Sequence, residues 1–220
     1  MRFKSEDPTQ YTHILAEKGR EIAYTEEFKE FIRANPGALK DFLRATEKVT
    51  VIGEQTQEGL VNLTCVHVVR DQYDITGRSD RFYYKANIGD HMFFVKASHP
   101  RSISGGGSEE FTGSRKAAEA LKDTPGVEVV NYKFGYQDKH HVYFISDWND
   151  ALRDSLRMDR LMVSLTQSGQ EDGELYKKLT KRLESISRKL PNHYDMHLGN
   201  MTYDPDKDII YLFDLRAYDN

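Results

Sequence analysis

Hydrophobic and polar residues alternate through the middle of the chain at the period of two that is typical of β-strands. The alternation begins at Leu60 and places every second residue from Val61 to Val69 on one side of an extended chain. It continues from Arg81 to Ile88 and from His91 to Ser98, two segments joined by Gly89-Asp90. A glycine-containing dipeptide between alternating segments is typical of a tight turn, so we expect three strands, of which the last two form a hairpin.

A helix and two further strands are predicted next. The run Ser102 to Gly107 is polar and ends in glycines, and Ser108 to Phe111 offers an N-cap and two acids, which favour a helix start. We expect this helix to extend to about Lys122 and to close at Pro125-Gly126. Two apolar strands are expected after it, over Val127 to Tyr136 and His140 to Ser146. Together these segments predict a small sheet with one inserted helix.

Helical patterns flank the predicted sheet on both sides. Residues 8 to 48 carry capping signals at Thr25 and at Asn35-Pro36, so we expect a helical N-terminal extension. Beyond Trp148-Asn149, leucine and methionine residues recur every three to four positions, which predicts two helices, and a hairpin around Asp204-Pro205-Asp206 follows. The expected parts are a helical extension (1–55), a lobe built on the sheet (56–147) and a second, mostly helical lobe (148–220).

Composition narrows the possible partners and compartments. The 31 Lys and Arg residues against 35 Asp and Glu residues give a formal charge of −4, so we expect neither nucleic acid nor an anionic membrane surface as a partner. Cys65 is the only cysteine, which excludes an intrachain disulfide and fits a reducing compartment. The N-terminus lacks the apolar core of a signal peptide, and no apolar run approaches the roughly 20 residues of a membrane span. We therefore expect a cytoplasmic protein.

The polar residues with the strongest chemical signal lie near the C-terminus. The segment His193-Tyr194-Asp195-Met196-His197-Leu198-Gly199-Asn200 precedes an apolar strand that ends in Asp214. Taken singly, Asp195 and Asn200 are ordinary turn residues and Asp214 a strand-end cap. Taken together, a carboxylate, an amide five residues later and a second carboxylate supply the hard oxygen atoms that magnesium prefers. Phosphoryl transfer needs such charge neutralisation and alignment more than covalent help.

This element order and the pattern H-x-D-x-x-x-x-N resemble the protein-kinase-like superfamily. The likeness is closer to aminoglycoside phosphotransferases and small bacterial sugar or lipopolysaccharide kinases than to eukaryotic protein kinases, and it covers roughly residues 60 to 216. It implies a bilobal α+β fold, with a five-stranded antiparallel N-lobe carrying one helix and a minimal, mostly helical C-lobe. It also implies ATP and Mg²⁺ as cofactors, Asp195 as the catalytic base, and Asn200 and Asp214 as magnesium ligands. His197 would support Asp195 or contact the substrate.

The resemblance calls for a strand lysine that meets the phosphates and pairs with a helix glutamate. Lys96 lies on the third predicted strand, where it is the one cation on an otherwise apolar face; the alternative is a lysine that extends to solvent from a strand end. Glu110 shares a helix face with small and apolar residues, so we choose it as the partner. Glu109 and Glu119 are the alternatives, and for an acid at a helix start, attraction to the helix dipole is a competing explanation.

Nucleotide contacts are expected where the superfamily joins its lobes, at Asp147, Trp148 and Asn149, although Trp148 could instead pack between the lobes. The phosphate-covering loop departs from the superfamily pattern, because the turn from Asp71 to Asp80 holds a single glycine in place of G-x-G-x-x-G. The glycines that end at Gly107 follow the strand lysine and indicate a hinge.

The predicted function is an ATP- and magnesium-dependent phosphotransferase that acts on a hydroxyl group. The chain ends shortly after Asp214, without the segments that protein kinases use to bind peptides, so the expected acceptor is a small molecule or sugar. Two alternatives stay open. One is a nucleotide-binding or regulatory module that lacks efficient transfer, and the other is a metal-dependent hydrolase that uses His193, Asp195 and His197 as ligands.

Overall fold

The fold is known from a computed structural model of the chain. The residues it describes are 13–17, 20–24, 26–49, 51–70, 80–98, 107–137, 142–150, 152, 155–190 and 196–216. The chain forms two compact units, one of residues 1–108 and 132–148 and the other of residues 109–131 and 149–220. Within the described ranges, no helix is long and apolar enough to cross a membrane.

The first unit is built on an eight-stranded sheet. Its strands are β1 (His13–Glu17), β2 (Arg20–Tyr24), β3 (Gln55–Glu58), β4 (Val61–Val69), β5 (Arg81–Ile88), β6 (His91–Ser98), β8 (Phe134–Gln137) and β9 (Val142–Asp147). They lie in the order β1-β2-β8-β9-β6-β5-β4-β3, with every neighbouring pair antiparallel. Helices α1 (Glu26–Ala34) and α2 (Ala38–Thr46) belong to the same unit.

One face of this sheet buries its side chains against the two helices. Strand β5 alternates strictly between buried and half-buried residues, as its sequence predicts. Phe82 and Tyr84 face the core, which also holds Phe42 of α2, whereas Tyr83 and Lys85 lie on the opposite face. The Tyr84 hydroxyl donates a 2.9 Å hydrogen bond to a backbone carbonyl, that of Val49, so this core contains a satisfied polar group.

The second unit packs helices against a small sheet of its own. Its elements are α3 (Gly107–Leu121), β7 (Val127–Val129), β10 (Leu156–Arg157), α4 (Met158–Gln167), α5 (Glu174–Lys189), a 3₁₀ turn (Leu198–Asn200), β11 (Met201–Asp204) and β12 (Ile209–Leu212). The strand order is β10-β11-β12-β7, in which β11 and β12 form the predicted hairpin and β7 joins β12 in parallel. Leu179 and Ile186 of α5 are fully buried with Ile210 and Leu212 of β12 in one apolar core.

The mixed α+β class and the five antiparallel strands predicted from the sequence are confirmed, and those strands lie side by side as β4-β5-β6-β9-β8. The structure adds β1 and β2 at one edge and β3 at the other. Residues 13–17 and 20–24 pair as antiparallel strands, where a helical pattern had been expected. The apolar run from Val127 to Tyr136 splits into β7 and β8, which join different sheets, because alternation sets the strand but not its partner. The three-part division at residues 55 and 147 stays a prediction.

Candidate functional site

Backbone pairing in the hairpin of the second unit brings Asn200 close to the segment that holds Asp214. Its register pairs Met201 with Leu212, so Asn200 and Phe213 are the next residues beyond the ladder. The Phe213 N–H donates a 3.1 Å hydrogen bond to the Asn200 carbonyl, which extends the pairing by one step. Asp214 follows directly, with φ of +55°, a left-handed conformation that Asp and Asn tolerate better than most residues. Asn200 and Asp214 are fourteen positions apart in the sequence, and the hairpin brings their backbones near each other in space.

The loop before the hairpin is held by its own backbone. The Asn200 N–H donates to the His197 carbonyl at 2.9 Å, and the Gly199 N–H donates to His197 Nδ1 at 3.1 Å. An acceptor role for Nδ1 leaves the proton of the neutral imidazole on Nε2. A Cβ at position 199 would lie 2.9 Å from Nδ1, so a larger residue there would displace the His197 ring from this contact. His193 and Asp195 lie outside the described residues.

The donor set at the open end of the hairpin fits magnesium. Asn200 offers an amide oxygen and Asp214 a carboxylate, and both residues are partly exposed. Among the described residues there is no group of three or more His, Cys, Asp and Glu side chains that could hold a metal ion. Magnesium commonly takes only one or two protein ligands and keeps phosphate and water oxygens for the rest, so two hard donors suffice. The hydrolase alternative depends on His193 and Asp195, which are not described.

Lys96 lies on a central strand of the first unit and is almost fully buried, with 2% of its surface exposed. It pairs with Tyr83 of β5 and with Phe144 of β9, and its Nζ lies 5.9 Å from the centre of the Phe144 ring. It is therefore not a lysine that extends to solvent from a strand end. Burial of an ammonium group costs free energy that hydrogen bonds or opposite charge have to offset.

Of the three glutamates considered on α3, Glu110 is fully buried in the second unit. Glu119 is exposed and forms an ion pair with Lys122 on the outer side of the helix, so it is a poor candidate for an internal role. The side chain of Glu109 is not described. Pairing between Glu110 and Lys96 stays a prediction.

The segment from Asp147 to Asn149 uses several of its polar groups internally. The Trp148 N–H donates to the Met92 carbonyl at 3.0 Å, and the Asn149 carbonyl accepts from Leu152 N–H at 3.1 Å. The Asp147 carboxylate forms a 2.7 Å ion pair with Lys133. A nucleotide base at this segment would therefore have to use other main-chain groups than the Trp148 amide.

The Trp148 ring continues a row of aromatic side chains on the face of the first sheet opposite its apolar core. Its centre lies 6.4 Å from that of Phe94, which lies 5.8 Å from Tyr83. Lys85 Nζ sits 4.8 Å from the centre of the Trp148 ring, a cation–π contact. Lys96 shares this face, since it pairs with Tyr83. Of the predicted phosphate-covering loop from Asp71 to Asp80, only Asp80 is described, and the glycines before Gly107 lie outside the described residues.

Sequence reasoning missed a charged cluster at the turn of the hairpin. Asp208 accepts hydrogen bonds from Arg182 Nη1 and Nη2 at 2.9 and 2.7 Å and from the Tyr203 hydroxyl at 2.8 Å. Lys178 Nζ adds a 2.8 Å ion pair. The Arg182 guanidinium and then the Lys178 ammonium hold the pKa of Asp208 well below its usual range. The four-residue spacing of the two cations on α5 was the available signal, but nothing in the sequence named their partner.

Comparison with known proteins gives a limited result. No protein-family model matches this sequence, and no curated protein matches it. The chain is similar to the crystal structure of Rad53 1-466 in complex with AMP-PNP, at 16% identity and a TM-score of 0.38, over 61% of this chain and 34% of that chain. It is also similar to the Cydia pomonella granulovirus kinase PK-1, at 16% identity and a TM-score of 0.39, over 68% of this chain and 52% of that chain. It spans about a third of the first chain and about half of the second.

Proposed function

We propose that this protein is an ATP- and magnesium-dependent phosphotransferase of the kinase-like type, located in the cytoplasm, which acts on a hydroxyl group of a small molecule or sugar. The observation that carries the proposal is the backbone proximity of Asn200 to Asp214, at the end of a loop with the pattern H-x-D-x-x-x-x-N. Two hard oxygen donors, with a second acidic residue, Asp195, five positions before Asn200 in the sequence, suit a reaction that is driven by alignment and charge neutralisation.

Each residue has a distinct role in this proposal. Asn200 and Asp214 hold magnesium, which neutralises charge on the phosphates when it is bound. Asp195 accepts the proton of the acceptor hydroxyl, and His197 supports Asp195 or contacts the substrate. Lys96, on the face of the first sheet opposite its apolar core, supplies positive charge to the phosphates. Glu110 orients Lys96, and residues 147–149 contact the nucleotide.

A nucleotide-binding module without efficient transfer is the second candidate. The observation that favours it is the sequence from Asp71 to Asp80, which contains a single glycine. Glycine lets the backbone approach phosphates closely, so a sequence with one glycine is less suited to cover them than one with three. The engaged amide of Trp148 points the same way, since it removes one donor for a base.

The test is stabilisation by ATP with Mg²⁺, followed as a shift in Tm of the full chain. We expect a shift in the wild type that Asp214→Asn and Lys96→Met each abolish, because a ligand that binds only the folded state raises its stability. Asparagine at 214 keeps a residue that tolerates the left-handed backbone, so the change removes charge alone. Asp172→Asn is the matched control, because Asp172 is fully exposed and pairs only loosely with Lys177, at 3.8 Å.

The outcomes separate the candidates. No shift in the wild type would refute both nucleotide-based functions. A shift without ATP consumption, unchanged by Asp195→Ala, would favour the binding module. A shift that survives Asp214→Asn would remove Asp214 from the metal site.

A further inference from the structure

We propose that Asp208 is a positioning residue for the Asn200–Asp214 pair. This inference rests on the proposed function for the role of that pair, and on the structure alone for the mechanical link. Asp208, Arg182, Lys178 and Tyr203, here called the turn latch, fix the closed end of the β11–β12 hairpin to helix α5.

The turn latch holds Asp208 by its side chain and by its backbone. Arg182 binds both carboxylate oxygens of Asp208 and also donates to its backbone carbonyl at 2.8 Å. Such paired, charge-assisted hydrogen bonds set orientation as well as strength. Lys178 lies one helical turn before Arg182 and reaches the same carboxylate, so two cations on one face of α5 converge on a single acid. Asp208 has φ of +57°, and the latch holds it in that uncommon conformation.

A second set of contacts joins the same helix to the segment before β7. A Cβ at Gly126 would lie 2.6 Å from Cζ of Arg182, so the guanidinium rests directly on the Gly126 backbone. Lys189 Nζ donates to the Thr124 hydroxyl at 2.7 Å, and the Gly126 carbonyl accepts from Ile210 N–H at 2.9 Å. Arg182 therefore links α5, the hairpin and the turn that follows α3.

The hairpin carries this constraint to its open end. Strand β12 is paired on both sides, with β11 and with β7, so it cannot slide without breaking two ladders. Strand β12 fills four of the positions between Asp208 and Asp214, and at about 3.3 Å per residue the chain between these two residues spans at most roughly 20 Å. A rigid strand that is clamped at one end and hydrogen-bonded at Phe213 holds Asn200 and Asp214 at a fixed place relative to α5. Loss of the turn latch would let the hairpin move relative to α5, because only apolar packing would then connect the closed end of the hairpin to this helix.

The experiment compares Asp208→Asn with the control Asp172→Asn in the full chain. Asparagine keeps an acceptor for the Tyr203 hydroxyl and tolerates positive φ, but it loses the charge that binds Arg182 and Lys178. The first readout, without ligand, is amide hydrogen exchange by NMR at Phe213, whose N–H bonds Asn200, against Leu190, whose N–H bonds Ile186 at 3.0 Å. The second is the affinity for Mn²⁺ in the presence of AMP-PNP.

We expect protection at Phe213 to fall about tenfold more than at Leu190, the size of one charge-assisted hydrogen bond lost, and Mn²⁺ binding to weaken with it. The control should change neither. Equal loss of protection at both amides, or none, would overturn the proposal, because a merely stabilising contact acts on global unfolding. If the wild type binds no Mn²⁺, the proposed function fails while hydrogen exchange still decides the latch. If Asp208→Asn does not fold, Lys178→Met removes one contact and is tested in the same way.

Discussion

Gly126→Ala tests the close packing of the second unit most sharply. Gly126 has φ of +68°, and an added Cβ would meet three guanidinium atoms of Arg182 at 2.6 to 2.9 Å, distances that real Cβ atoms do not show. Gly169 has the same φ, +68°, in the same unit, but a Cβ added there would have nothing within 4 Å. The two substitutions therefore share the backbone strain and differ only in the clash.

The expected magnitudes follow from these geometries. A left-handed alanine costs about 1 to 2 kcal/mol, which Gly169→Ala should show alone. Gly126→Ala should cost about 1 to 2 kcal/mol more, because displacement of the guanidinium loosens its bonds to Asp208. That increment is discounted from the usual ~1.5–3 kcal/mol of a charged hydrogen bond, since the Asp208 side chain is 41% exposed.

The assay is urea denaturation followed by far-UV circular dichroism, in the wild type, both alanine variants, and the same pair in an Arg182→Met background. In that background the clash with the guanidinium is gone, so Gly126→Ala should cost no more than Gly169→Ala. An excess cost of Gly126→Ala that persists without Arg182 would refute the reasoning, because the coupling would then be zero.

Three further predictions use single side chains. Thr202→Val should be neutral or stabilise by up to about 1 kcal/mol, because the buried Thr202 hydroxyl has no hydrogen-bond partner among the described residues. Thr46→Val, which breaks a 3.1 Å bond to a backbone carbonyl, should instead destabilise in the same denaturation assay. Tyr84→Phe should cost about 1 to 2 kcal/mol, since it leaves the Val49 carbonyl without this buried donor, and an unchanged midpoint would contradict the assignment. The folded-state pKa of Asp208 is lowered. The contribution of the Asp208 carboxylate to the free energy of unfolding is therefore complete above the unfolded pKa of about 3.9 and is lost as pH falls through the folded pKa. The difference in stability between wild type and Asp208→Asn should narrow below about pH 4, and a difference that stays constant with pH would contradict this prediction.

Local sequence patterns predicted individual strands and helices, but not which distant strands pair with one another. The alternation along Arg81 to Ile88 determined both the strand and the face that it buries, because the side-chain period of a strand is two. Pairing between distant segments was not predictable. Strand β2 pairs with β8 more than a hundred residues later, and short strands carry little information about such partners.

In the candidate site too, residue types were predictable from the sequence, whereas contacts between distant residues were not. Asn200 and Asp214 were predicted from residue type, spacing and the kinase-like resemblance, and a hairpin between them was predicted, but its register, with Met201 opposite Leu212, comes from the structure. The turn latch was missed, because Arg182 and Lys178 resemble any exposed helix cations until the fold supplies Asp208. Lys96 was identified as a cation on an apolar strand, but its near-complete burial required the neighbouring strands.

Transfer itself is the central claim, and ³¹P NMR of ATP with Mg²⁺ and a panel of sugars and other hydroxyl compounds tests it most directly. The account predicts a new phosphoester signal with at least one acceptor in the wild type, formed at least about a hundredfold more slowly by Asp195→Ala, as expected when a catalytic base is removed. Asp172→Asn should retain the wild-type rate. A phosphoester that forms equally fast without the Asp195 carboxylate, or ATP that stays intact with every acceptor, would contradict the account.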